Sequence, residues 1–217
     1  MLKNLFAGLL TATFFFTAAI SVTAQNNAPN EATKTLHALF DEEWEYTMRE
    51  NPTWASTLGD RRYNDRWEDV SLAAIERRHL HGVETLARLK AIDRSGLSPA
   101  DALSYDLFKK DFETDIEGHK FRWYLVALNQ RGGIQTADEI VDNLRFTTVK
   151  DYEDWIARLR ALPVLTEQTT ALLREGARTK MILPKIIMDR IPAQIDKQIV
   201  ASPEESPFYK PFKNFPA

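Results

Sequence analysis

The sequence predicts an all-α protein, an irregular array of several helices followed by an extended, proline-rich C-terminal tail. Apolar residues recur at helical spacing in most segments, and no segment shows the sustained alternation of apolar and polar residues typical of a β-strand. Asparagine, serine, proline and glycine residues stand where helices begin and end. No repeat of fixed period occurs, so we expect one helical domain over residues 25–201.

The first two helices are predicted from apolar spacing and from capping residues. A helix is expected over residues 31–49, and Asn51 followed by proline stops it and starts a helix of about two turns. Gly59 ends that short helix, because glycine adopts the left-handed conformation without strain. A helix this short is marginal by itself, so we expect Trp54 and Leu58 to be anchored by other parts of the fold.

The middle of the chain continues with capped helices. Ser71 caps a long helix that ends at Gly96, and Ser98 followed by proline starts the next, which runs toward Ile116. Residues 121–128 are apolar enough for a strand or a buried helix, and periodicity does not choose between the two. We take this segment as helical.

Three further helical segments are expected before the tail. A capping box at Thr136 and Glu139 opens a short helix through Leu144, and Thr148 with an acidic residue three positions later starts another. Pro163 begins or kinks a helix within that region. After Pro184, isoleucines recur every four residues and predict one helical stripe, bent at a proline: Ile187, Ile191, Ile195 and Ile199.

Residues 202–217 form the predicted tail and end in a proline-rich aromatic sequence. Four prolines in fifteen residues exclude a regular α-helix or strand, and an extended tail would expose its aromatic side chains: Phe208, Tyr209, Phe212 and Phe215. We therefore expect a further segment to cover them, which makes the end of this sequence a truncation point.

Residues 1–24 are typical of a secretory signal peptide. Lys3 gives a basic start, residues 5–20 form an apolar run, and Val22 and Ala24 supply the small residues of a cleavage site. An uncleaved membrane anchor is the alternative, although the apolar run is shorter than the roughly 20 residues of a usual span. The leader predicts a secreted or periplasmic protein, with no membrane contact after cleavage.

The composition of the chain argues against a nucleic-acid partner and against disulfide bonds. The chain has 217 residues, 28 basic and 31 acidic, and a net charge of −3, so no basic surface for nucleic acid is expected. It contains no cysteine, so folding in an oxidising compartment is tolerated without any disulfide.

The histidines do not have the spacing of a metal-binding helix. His81 and Glu84 would share one helix face and offer two ligands, but on so charged a helix we interpret them as a solvated face. His79 falls on the apolar stripe, where a hydrogen-bonded, partly buried imidazole is the commoner role. The sequence therefore gives no catalytic residue, no metal ligand and no cofactor in this chain.

Two carboxylate runs, residues 41–45 and 111–115, are of the kind that glycosidases use as acid and base. Each alternates with aromatic residues at helical spacing, so we interpret them as charged outer faces of packed helices. The tryptophans are likewise expected to be core residues rather than ligand platforms: Trp44, Trp54, Trp67, Trp123 and Trp155.

The loop after Leu128 is the candidate binding segment. Two glycines allow a close approach of the backbone, and the preceding polar side chains can bind a carboxylate or a peptide group. We therefore predict substrate-channel contacts here, with a simple connection between helices as the alternative: Gln130, Arg131, Gly132 and Gly133.

Seven short motifs occur in an order that resembles the domain of unknown function 885 family, whose members are mostly bacterial and often secreted. The motifs extend through most of the chain: Asn51-Pro52 with Trp54, Gly59-Asp60 and Tyr63-Asn64-Asp65; Leu97 to Asp101 with Tyr105-Asp106; Asn129 to Gly133; Asp151-Tyr152 with Arg158; Leu173 to Gly176; Pro184-Lys185; and Ser206 to Tyr209.

The resemblance implies a mostly helical, gluzincin-like fold and a zinc-dependent peptidase-like activity. The zinc site of such proteins resembles a His-Glu-x-x-His helix far downstream, and no such motif occurs here. The resemblance therefore implies the N-terminal part of a longer enzyme, with zinc in the full-length parent, whose partners are the missing C-terminal part and a peptide substrate. The alternative is a stand-alone helical periplasmic module that binds a peptide or a protein without catalysis.

Overall fold

The computed structural model describes residues 30–215, which contain seven α-helices joined by short 3-10 segments and no β-strand. The predicted all-α class is confirmed, and the predicted signal peptide lies outside the described residues. No helix of this part has both the length and the apolar character needed to cross a membrane. The helices are α1 (Glu31–Glu50), α2 (Pro52–Thr57), α3 (Leu72–Lys90), α4 (Pro99–His119), α5 (Val149–Arg178), α6 (Lys185–Met188) and α7 (Ile191–Asp196).

The starts of the long helices follow the capping residues of the sequence. The side chain of Ser71 accepts a hydrogen bond from the Ala74 amide, and that of Ser98 accepts one from the Asp101 amide. Thr148 and Asp151 form the reciprocal capping box of α5. Each cap satisfies an amide that the first helical turn leaves without a partner, so the three predicted starts are confirmed.

Helices α1, α3 and α4 pack around one apolar cluster, which sets the position of the groove described below. α1 contributes Leu36 and Leu39, α3 and the residues just after it contribute Leu89 and Ile92, and α4 contributes Tyr105. All five side chains are buried, so the relative placement of the three helices is fixed by apolar burial, worth roughly 2 kcal/mol for each large side chain.

The short helix α2 differs from the sequence expectation in what it buries. Gly59 has φ of +88°, as predicted for a left-handed helix end. Pro52, Ala55 and Ser56 are the buried residues, whereas Trp54 is 52% and Leu58 48% exposed, so the expected anchoring of these two side chains is wrong. α2 places its small residues against the core, and its large apolar residues therefore face outward.

Helix α5 runs continuously through Pro163, so the alternative in which that proline begins a helix is wrong. An internal proline removes one backbone hydrogen bond. Buried side chains on both sides hold the two halves in place, with Tyr152 and Trp155 before the proline and Leu172 after it.

Two predicted helices are absent as α-helices from the described chain. Within residues 121–128 only Trp123–Leu125 is helical, as a 3-10 turn, because Arg122 has a left-handed φ of 55°. In the region expected to be a short helix through Leu144, Ile134–Asn143 is a 3-10 segment with non-helical dihedral angles at Thr136.

The predicted isoleucine stripe is also divided. Its residues fall on the short helices α6 and α7 and, for Ile199, three residues beyond the end of α7. Ile191 is buried, whereas Ile195 is 41% and Ile199 75% exposed. Spacing of four residues therefore did not mark one continuous buried face.

The expected extended, uncovered tail is wrong. Pro203–Glu205 and Pro207–Asn214 are 3-10 segments, and the second packs on α5. Trp155 donates its indole N–H to the Phe208 carbonyl at 3.1 Å, and the two rings stack. Short 3-10 turns tolerate proline because each turn needs few backbone donors, so the aromatic side chains of this segment find cover within the chain itself.

Candidate functional site

The candidate site is an open groove of about 600 Å3 between α1, α2 and α4. That volume is within the usual range of ligand sites. Aromatic and aliphatic side chains make up most of its wall: Phe40, Trp44, Met48, Trp54, Leu107, Phe108 and Phe112.

The apolar wall of the groove is unusually open to solvent. Trp44 is 54%, Trp54 52% and Leu107 59% exposed, although each is a large apolar side chain. Phe40 and Phe108 meet edge to face beneath them at 4.8 Å between ring centres. Exposed apolar residues that cluster on one concave surface are typical of a binding site, whereas single ones are ordinary.

The polar groups of the groove that carry charge are all acidic. Glu43, Asp111 and Asp115 line it, and no lysine or arginine does. Asp111 and Asp115 stand one turn apart on α4 and are exposed. The groove therefore combines aromatic surface with negative charge.

Glu43 is the fixed member of this acidic set. Its side chain is 7% exposed, its Oε1 lies 2.8 Å from Nε2 of His81, and Thr85 donates its hydroxyl to the same oxygen at 2.8 Å. The ring of Tyr46 stacks on His81 at 3.5 Å, and burial raises the pKa of Tyr46. The network joins α1 to α3 and holds the carboxylate at the groove in one orientation.

The interpretation of His81 as part of a solvated face is therefore wrong, since its imidazole is half-buried against Glu43. Glu84 is exposed and forms no part of this network. His79 is half-buried and stacks on His119 at 3.8 Å between ring centres. Across residues 30–215 no three metal-ligating side chains come together in a way that would hold a metal ion.

A second cleft of about 600 Å3 lies on the other side of this network, between α1 and α3. Its charges are mixed, and most of them already have partners, although Glu84 forms no ion pair within residues 30–215. Arg77 pairs with Glu50 at 3.1 Å, and Glu76 lies 3.3 Å from His119. It offers a ligand less unpaired charge than the aromatic groove does.

The predicted binding loop, Gln130, Arg131, Gly132 and Gly133, is not part of either cleft. It closes as a tight turn, in which the Asn129 amide donates to the Gly132 carbonyl at 2.9 Å. The Gln130 carbonyl accepts a hydrogen bond from the Gln194 side chain of α7 at 2.9 Å. Most of its polar backbone is thus occupied, and its role in a substrate channel stays a prediction.

Sequence reasoning missed the groove because it assigned its residues to other roles. Trp44 and Trp54 were expected in the core, as was Trp123, which is 69% exposed; of the five tryptophans only Trp155 is fully buried. The available signal was the carboxylate run on α4, with Asp111 and Asp115 four residues apart beside aromatic residues.

The fold and the groove define an all-α protein with an open groove lined by aromatic and acidic side chains. The family model described as a bacterial protein of unknown function (DUF885) matches residues 52–217, which is more than half of the chain. The chain therefore belongs to the DUF885 family, and the resemblance seen in the sequence is confirmed. No curated protein matches the chain.

Proposed function

We propose that this chain is the helical, peptide-binding part of a secreted, zinc-dependent peptidase-like hydrolase. The groove between α1, α2 and α4 would form one wall of the substrate channel. The observation that supports the binding role is the open aromatic surface of this groove, with Trp44, Trp54 and Leu107 each about half exposed. The hydrolase role rests on the resemblance of the sequence motifs alone.

In this proposal the metal centre belongs to another part of the parent protein. The described residues do not fit a zinc site, since they bring no three metal ligands together. The chain itself would bind and orient a peptide, and no chemical step is assigned to its own side chains. Its partners would be the remaining part of the same protein and the peptide substrate.

Peptide hydrolysis by the protein translated from the whole reading frame tests this function. We expect hydrolysis that a chelator abolishes and zinc restores. Replacing Leu107 with alanine should raise KM about fivefold without lowering kcat. The variant loses an apolar contact with the peptide that is made equally in the bound substrate and in the transition state. Leu103→Ala is the matched control, since Leu103 is 60% exposed on the same helix but outside the groove.

A protein that hydrolyses no peptide but still binds one would overturn the hydrolase and favour the stand-alone binding module. A downstream His-Glu-x-x-His in the reading frame would favour the hydrolase, whereas a stop codon directly after Ala217 would favour the module. Equal KM values for both leucine variants would contradict the role of the groove.

The proposed location is the periplasm or the exterior. It is supported by the signal-like residues 1–24. Mass spectrometry of the exported protein should find a mature N-terminus at Gln25. A mass that still includes the apolar run would contradict this.

A further inference from the structure

Two of the three carboxylates that line the groove have no ion-pair partner within the described residues; the third, Glu43, pairs with His81. Asp106 and Glu113, also on α4, form ion pairs with Arg94 and Lys90. Asp111 and Asp115 line the groove and form no ion pair with any residue in 30–215, and Asp115 also borders a smaller cleft that contains Arg78 and His119. The carboxylates on this side of α4 are therefore free to meet a positive charge from outside.

The aromatic residues beside these carboxylates suit the same kind of group. Trp44 and Trp54 line this groove, and each is about half exposed to solvent. An indole ring attracts a cation over its face, and tryptophan does so better than the other aromatic residues. Lysine and arginine also carry apolar stems, which Leu107 and the phenylalanines of the floor can contact.

We propose that the groove selects peptides that carry a lysine or arginine side chain. The cationic group lies against the indoles of Trp44 and Trp54 and near Asp111 and Asp115, and the stem of the side chain contacts the apolar floor. This inference rests on the proposed function, because it names the class of peptide that the same groove binds.

Glu43 lies in the wall of the groove, but its carboxylate is already held by His81 and Thr85. The preference therefore rests on Asp111 and Asp115, which form no ion pair among the described residues. The same two carboxylates disfavour a negatively charged peptide.

The test compares two peptides that differ in one charge. The probes are fluorescein-labelled Ala-Phe-Lys-Phe-Ala amide and its twin with acetyl-lysine at the centre, titrated against the full chain by fluorescence anisotropy. We expect the lysine peptide to bind about tenfold more tightly, the combined size of an exposed ion pair and a surface cation–π contact. The difference should shrink as salt is added.

Two pairs of variants assign the preference to the groove. The double variant Asp111→Asn with Asp115→Asn should bind both peptides with nearly equal affinity, whereas Glu117→Gln, on α4 outside the groove, should keep the preference. Trp54→Ala should weaken lysine-peptide binding about fivefold. Its control is Trp123→Ala, at a tryptophan that is 69% exposed and away from the groove.

The outcomes separate this inference from the proposed function. If the original protein binds the two peptides with equal affinity, and Trp54→Ala weakens both to the same extent, the cation preference is overturned and a peptide-binding groove remains. Failure of both peptides to bind, with binding of maltohexaose or of the rest of the parent protein instead, would overturn both. A preference that survives the double asparagine variant would place the cation elsewhere and also overturn this inference.

Discussion

Arg158 is a fully buried cation that joins α5 to α2 and the turn after it, and its replacement tests the packing between these elements. Its Nη2 donates to the Ser56 hydroxyl and to the Tyr63 carbonyl, each at 2.9 Å. Its Nε and Nη1 are buried and have no hydrogen-bond partner among the described residues. Burial lowers the pKa of Arg158 from its usual value to about 10, although nearby carboxylates oppose the shift.

The pKa gives the size of the electrostatic penalty. A lowering of the pKa to about 10 corresponds to roughly 3 kcal/mol against folding with the charge in place, at about 1.4 kcal/mol for each pKa unit. Because the folded pKa is lowered, this penalty is fully present at neutral pH and is relieved only as the pH rises above about 10. The two hydrogen bonds to the charged group contribute about 3 kcal/mol in the opposite direction.

The two effects nearly cancel, so removal of the charge at constant volume should change little. We expect Arg158→Met to unfold within about 1 kcal/mol of the original protein. Arg158→Lys keeps a buried charge but loses the planar fork, and we expect it to be about 2 kcal/mol less stable. Arg158→Ala should lose about 4 kcal/mol because it leaves a large cavity.

Urea unfolding followed by tryptophan fluorescence and far-ultraviolet circular dichroism measures these differences, with equal m-values as the check that the unfolded states are comparable. A lysine variant more stable than the methionine variant would refute the reasoning, because it would mean that the buried charge is favourable in itself.

Two further predictions concern the loop and the acid response. A Cβ on Gly133, whose φ is +142°, would overlap Leu128 and lie 2.7 Å from Gln135 Oε1, so Gly133→Ala should lose about 3 kcal/mol in urea unfolding. Gly132→Ala, whose Cβ would meet nothing nearer than 4.0 Å, should be nearly neutral, and equal losses would contradict the loop geometry. Hydrogen bonds from Arg178 and Arg122 lower the pKa of Glu175 from 4.5 to about 2, so its ion pairs stabilise the fold above about pH 4.5. That contribution is lost as the pH falls toward 2. The original protein should therefore be more stable than Glu175→Gln at neutral pH, and the difference in their free energies of unfolding should shrink as the pH is lowered toward 2. A difference that stays constant with pH would contradict this prediction.

The helix starts could be predicted because their cause is local. Ser71, Ser98 and Thr148 satisfy amides within three residues of themselves, and Gly59 adopts its conformation without help from distant residues. Such features depend on the chain nearby, and they were confirmed. The resemblance to the family was confirmed for the same kind of reason, since its motifs are short and read directly from the sequence.

The errors arose where distant parts of the chain decide the structure. Residues 121–128 looked helical, but the Leu125 carbonyl packs against Gly176, where a Cβ would lie 2.9 Å from that oxygen. Trp155 is buried because residues near Phe208 fold back over it, more than fifty positions later. Helical spacing cannot tell such covered faces from uncovered ones.

The groove was beyond local reasoning for the same cause. Trp44 repeats at helical spacing in the same way as Leu36, and only the placement of α4 leaves one exposed and the other buried. Glu43 and Asp111 come to one surface from helices far apart in the sequence. The carboxylate runs were noticed, but nothing in the sequence alone indicates that they share a cleft.

The most direct test of the account is to find where a peptide lies on the protein. A lysine-containing peptide with one benzoyl-phenylalanine is photo-crosslinked to the full chain, and the attachment points are identified by mass spectrometry. Binding in the groove predicts crosslinks within residues 40–54 and 104–115, suppressed by excess unlabelled lysine peptide. Crosslinks confined to residues 130–133, or to the cleft beside Leu80, would contradict the assignment of the groove as the peptide site.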